Sequence, residues 1–174
     1  ALLAGALGVG TGPRSAPTLR AIERGEGDGP LVVLLHGYGS SPEDIVSMAE
    51  RTDLPSGTRL AFPYAPEPTH PPYGPIGGGF MWWPFTTSLH DLRTTQLPGL
   101  ATARTRVLDF LDAEQERLGI GSERIVLGGF SQGAILALDV ALHDDRPLAG
   151  VILLSGTLVD EAELVPRIAS RRGL

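Results

Sequence analysis

The 174 residues contain no cysteine and no lysine. Without thiols the chain can form no disulfide, present no thiolate nucleophile and build no Cys-ligated metal site, while its redox compartment stays open. All basic residues are arginine, 14 against 20 acids, for a net charge of −6. Such an acidic balance is a poor match for a phosphate backbone, so no nucleic-acid partner is expected. No apolar run approaches the ~18 residues that a membrane span needs. Residues 1–10 are apolar but carry no basic flank, so they read as a retained strand or hairpin as readily as a secretory apolar region. A cytoplasmic location is the expectation. What is present, 42% hydrophobic and 20% charged residues, fits one soluble domain over residues 1–174. No repeat, charge block or linker divides it.

Against this background one stretch carries chemistry. Gly129-Phe130-Ser131-Gln132-Gly133 follows the apolar run Ile125-Val126-Leu127 and precedes Ala134-Ile135-Leu136-Ala137-Leu138. With 23 Gly in the chain a G-x-S-x-G arises by chance roughly 0.2 times, so the flanks decide. They describe a strand, a sharp turn and a helix. Glycines two residues either side of Ser131 allow a tight backbone path that stands the serine up at the carboxyl end of the strand, as a nucleophile elbow does.

A second strand exit matches it. Leu31-Val32-Val33-Leu34-Leu35 reads as a central strand buried on both faces and runs into His36-Gly37-Tyr38-Gly39-Ser40. An acyl-transfer site needs two backbone N–H donors for its oxyanion, one from such a turn and one from the residue after the nucleophile. These are Tyr38 and Gln132.

Strand and helix alternate elsewhere. Residues 18–23 suggest an early strand. Ser41 caps a helix that opens on Pro42, Glu43 and Asp44 and runs to about Arg51. Residues 58–62 form another strand, 97–118 a helix with Leu100, Val107, Leu108 and Leu111 on its apolar face, 124–128 the elbow strand and 151–154 the next. Asp160 caps a further helix with Glu161 and Glu163 in its first turn, Arg167, Arg171 and Arg172 near its end, and Gly173 as a stop. This alternation implies a mostly parallel sheet with helices on both faces. Residues 63–96 interrupt it with a long excursion rich in Pro and Gly, which holds Phe80-Met81-Trp82-Trp83 and both tryptophans of the chain. The aromatics either line a substrate wall or pin the loop to the body.

Leu34-Leu35-His36-Gly37-Tyr38-Gly39-Ser40, Gly128-Gly129-Phe130-Ser131-Gln132-Gly133-Ala134 and Leu153-Leu154-Ser155-Gly156, in that order, resemble the phospholipase/carboxylesterase family of α/β-hydrolases, which includes the acyl-protein thioesterases. The resemblance covers residues 18 to 174. It implies an α/β-hydrolase fold, no metal or organic cofactor, and hydrolysis of a small carboxylic ester or thioester through an acyl-enzyme on Ser131. Because the family's aromatic segment lies near the active site, it also favours Met81, Trp82 and Trp83 as substrate-binding residues.

A serine nucleophile needs a base, and in α/β-hydrolases the order is Ser, acid, His. After Ser131 the only histidine is His143, twelve residues along the same helix and therefore about 18 Å away; it is expected to be a surface residue. His70 and His90 in the long excursion are the other candidates, with Asp91 or Asp160 as acid. In the family both the acid and the histidine come after the next strand, so the resemblance implies a fragment lacking its carboxyl-terminal strands, with a second chain as one source of the missing part. A non-catalytic hydrolase-like domain is the alternative.

Overall fold

The computed structural model describes residues 19–69, 78–84 and 91–171. The strand or hairpin expected in residues 1–10, the candidate bases His70 and His90, and the stop signal Gly173 lie outside the described residues.

Strand β1 (Ala21–Arg24) is an edge, antiparallel to β3 (Arg59–Pro63); β3, β2 (Leu31–Leu35), β6 (Ile125–Phe130) and β7 (Gly150–Leu154) then run parallel in that order. Two short strands, β4 (Glu67–Pro68) and β5 (Phe80–Met81), pair with each other outside this sheet. Between strands the chain forms α1 (Pro42–Ala49), α2 (Leu100–Leu118), α3 (Gln132–His143) and α4 (Glu161–Ser170).

Every residue of β2 is buried, as expected for a strand covered on both faces. Side chains alternate across the sheet. Leu31, Val33 and Leu35 join the larger core with Val107, Phe110 and Leu111 of α2 and Leu136 and Val140 of α3. Val32 and Leu34 join Ile45, Val46 and Ala49 of α1, with Leu60 and Phe62 of β3, on the other side. Strand β7 closes the sheet opposite β1, with Ile152, Leu153 and Leu154 exposed. Among the described residues no helix is long and apolar enough to cross a membrane.

The capping signal at Ser41 is realised as a reciprocal box: the Ser41 side chain accepts from the third helical N–H, and the Asp44 carboxylate accepts the Ser41 backbone N–H at 3.1 Å. Helix α2 starts at Leu100 rather than near Leu97 because Gly99 takes φ 94°, a left-handed conformation that cannot continue a helix back through Pro98. At this point Gly99 also approaches Trp83, whose Cβ would lie 2.9 Å from any Cβ placed on Gly99.

Leu35 is fully buried at the end of β2, the point from which the chain turns into the site. Leu35→Ala is expected to cost about 2–5 kcal/mol, lowering the urea midpoint without changing the slope of the transition.

Candidate active site

Ser131 stands alone between β6 and α3 with φ 52° and ψ −114°, a combination that L-residues avoid. Holding it costs about 1–3 kcal/mol. The backbone around it supplies the restraint: Ser131 N–H donates to the Leu154 carbonyl at 2.8 Å, and the Ser131 carbonyl accepts from Ala134 at 3.0 Å and Ile135 at 3.1 Å. The flanking glycines are needed for close approach. A Cβ on Gly129 would lie 2.4 Å from the carbonyl carbon of Gly133, and one on Gly133 would lie 2.2 Å from the Leu35 oxygen. Helix α3 thus begins pressed against the exit of β2.

That contact puts Ser131 beside the glycine turn, where a Cβ on Gly37 would be 3.5 Å from the Ser131 Cβ. The turn is closed by Ser40 N–H donating to the Gly37 carbonyl at 3.3 Å, with Gly39 at φ 71°. It is braced from outside by Gly39 N–H to the Phe80 carbonyl and Phe80 N–H to the Ser40 carbonyl, both 2.9 Å. Tyr38 is half-buried in this turn. Gln132 is the first residue of α3, so its N–H has no helical carbonyl four residues back and sits at the positive end of the helix dipole.

The Gln132 side chain is fully buried and makes two bonds that the sequence did not disclose. Its Oε1 accepts the Trp82 backbone N–H at 3.0 Å, and its Nε2 donates to the Trp83 carbonyl at 2.8 Å. The Trp82 indole N–H donates to the His36 carbonyl at 2.9 Å. Trp82 and Trp83 are 2% and 1% exposed, within the larger core, while Met81 is half-buried. The structure therefore brings the aromatic segment to the elbow through its backbone, with both indoles packed inward. A sequence gives no signal for a bond between residues fifty apart.

Neither described histidine has a ring nitrogen to spare for Ser131. His36 is buried; its Nδ1–H donates to the Gly37 carbonyl at 2.8 Å and its Nε2 accepts the Ala65 N–H at 3.1 Å, a pattern open only to the neutral ring. Burial pushes its pKa below the ordinary value. His143 corrects the expectation of a surface residue. Its side chain is only 12% exposed because α4 folds over it: Nε2 meets Glu163 Oε1 at 2.8 Å, and Nδ1 lies 2.9 Å from the Asp139 carbonyl. Asp139, whose carboxyl is raised by burial and partly held down by Arg104 at 3.4 Å, is engaged at the same place. It lies about 12 Å along α3 from the elbow.

Two measurements test this geometry. Gly133→Ala forces a Cβ onto the Leu35 carbonyl and is expected to destabilise by about 3 kcal/mol, the upper end of overpacking, in chemical denaturation. His36 has a folded pKa below its unfolded one, so the stability it contributes is complete above the unfolded value of about 6.5 and is lost as pH falls through the folded value. Wild-type protein should lose stability on acidification from pH 7 in urea titrations, and His36→Asn should lose less over the same interval.

Residues 18–169 match the model of the phospholipase/carboxylesterase family. Acyl-protein thioesterase 1 of Schizosaccharomyces pombe is 32% identical over 127 residues, which are 73% of this chain and 55% of that protein. The chain spans about half the length of the curated relatives it matches. Among solved structures, esterase PE8 superposes with a TM-score of 0.71 at 30% identity, covering 86% of this chain and 69% of its own. A phospholipase/carboxylesterase from Dyadobacter fermentans follows with 0.61 at 28%, covering 82% and 62%. The fold, the elbow and these matches agree: the chain belongs to the phospholipase/carboxylesterase family of α/β-hydrolases.

Proposed function

We propose that this chain carries the nucleophile and oxyanion hole of a serine hydrolase, in one α/β-hydrolase domain, that cleaves a carboxylic ester or a thioester. The observation that carries this reading is the strained Ser131 on a strand-to-helix turn, set against Gly37. A backbone held at φ 52° serves packing poorly and serves exposure of a side chain well.

In the proposed reaction the Ser131 Oγ attacks the acyl carbon as a base takes its proton. The electron pair of the carbonyl moves to oxygen, where the Tyr38 and Gln132 N–H groups stabilise it. Collapse expels the alcohol or thiol, which receives that proton, and leaves an acyl-enzyme; water then attacks by the same route and frees the acid. Both described histidines are engaged elsewhere, so the base comes from another source: His70 or His90, with Asp91 or Asp160 as acid, a segment beyond the part of the longer relatives that this chain spans, or a second chain. The thioester option takes support from the acyl-protein thioesterase relative. Met81, half-buried on β5, is the residue of the aromatic segment assigned to touch the acyl group, with Trp82 and Trp83 forming the wall behind it.

Ser131→Ala is expected to reduce p-nitrophenyl ester turnover to the residue that an oxyanion hole alone leaves, about 10³ to 10⁴ over water, with an unchanged circular dichroism spectrum. A fluorophosphonate should add mass to the wild type at Ser131 and none to the variant. Wild-type turnover by the variant would remove Ser131 from the reaction.

A further inference from the structure

Residues 80–83 are bonded both to the turn that holds Tyr38 and to the side chain of Gln132, the two residues whose N–H groups are the proposed oxyanion donors. At one end, Phe80 exchanges two hydrogen bonds with Gly39 and Ser40, next to Tyr38, and the approach is so close that a Cβ on Gly79 would lie 2.2 Å from the Gly39 oxygen. At the other end the Gln132 carboxamide joins the Trp82 N–H to the Trp83 carbonyl. Between them the Trp82 indole is fastened to the His36 carbonyl at the mouth of β2. Three attachments along four residues tie the two turns into one unit.

We propose that residues 80–83 act as a strut that sets the spacing of the Tyr38 and Gln132 N–H donors, and that the Gln132 carboxamide is the positioning residue joining it to the elbow. The purpose of that spacing rests on the esterase reading; the joint itself does not. Both ends of the carboxamide are used, one as acceptor and one as donor, in a site without water contact. A buried polar group left unpaired costs about 1–3 kcal/mol, so the amide is held in one orientation and the strut with it. An apolar residue of the same size would fill the space and make neither bond.

Gln132→Glu isolates the donor. It keeps the shape and the acceptor, but its second oxygen donates to the Trp83 carbonyl only while protonated, and burial lifts a Glu carboxyl into the range of about pH 6 to 9. Trp82 and Trp83 are the two tryptophans of the sequence, so selectively excited indole emission and acrylamide quenching read the joint directly. In the intact protein, the indole emission of Gln132→Glu should match that of wild type at the acid end of this range and become red-shifted and quenchable towards the alkaline end, reversibly, while that of wild type stays flat. Its ester turnover relative to wild type should fall by roughly tenfold in step. Gln132→Leu should show quenchable indoles at every pH; if it fails to fold, the Glu variant decides alone.

A Gln132→Glu protein whose indole signal does not titrate, or a folded Gln132→Leu protein with wild-type quenching, overturns the joint. Indoles that titrate while the turnover ratio stays constant overturn the strut's role in the reaction. Absence of ester turnover in wild type would sink the proposed function, and the indole measurement would still decide the joint.

Discussion

The backbone of Gly133 lies so close to the carbonyls of Leu35 and His36 that no side chain fits between them, and the site depends on that contact. Strands β2 and β6 are neighbours in register, with Leu35 opposite Gly129, so their carboxyl ends open at the same level. A helix leaving β6 at an ordinary distance would carry Ser131 away from the turn that follows β2. Glycine at 133 lets α3 start against β2 instead, and the turn at Gly37 then meets Ser131 side by side. Gly129 is needed for the same reason one residue pair earlier, where the chain folds back on Gly133.

The strain at Ser131 is small against what restrains it. About 1–3 kcal/mol is stored in the backbone there. Helix α3 buries ten of its twelve residues, among them Leu136 and Val140, and fully burying one such side chain contributes roughly 1.5–3 kcal/mol. The elbow also lies between two fixed points, the Leu154 carbonyl that accepts its N–H and the first turn of α3 that donates to its carbonyl. With the ends held by packing, the residue between them has no unstrained path to relax into.

Much of this was legible in the sequence because it depends on local rules. An unbroken apolar run marked β2, serine followed by proline and acids marked the start of α1, and two glycines around a serine between a strand and a helix marked the elbow. Boundaries moved where one residue overrode the pattern, as Gly99 did at the start of α2. The rest was set by contacts between distant segments. His143 looked solvent-facing from its place on α3, and only the return of α4, bringing Glu163 to its ring, leaves it half-buried. The surroundings of the tryptophans in the chain left a substrate wall and a loop anchor both open, and the family resemblance that favoured the wall does not tell which way an indole faces. Their backbone reaches the elbow through Gln132, whose identity in the motif showed only that its N–H could serve.

The electrostatics of the site follow from the same use of backbone. The donors proposed for it, the Tyr38 and Gln132 N–H groups, are peptide groups, and that of Gln132 stands at the positive end of α3, a helix of twelve residues. His36 is kept neutral by burial and by accepting the Ala65 N–H, so it adds no charge that would need compensation beside the turn. The acids nearest this turn, Glu43 and Asp44, are occupied by Tyr64 and by Ser40 and Ser41 at the start of α1, where they complement that helix's own dipole. In the proposed reaction, stabilisation of a developing oxyanion would therefore rest on orientation more than on charge. Fixed dipoles act at full strength only while their angles are held, so a site built this way needs its turn and its elbow braced against each other, and a segment bonded to both meets that need.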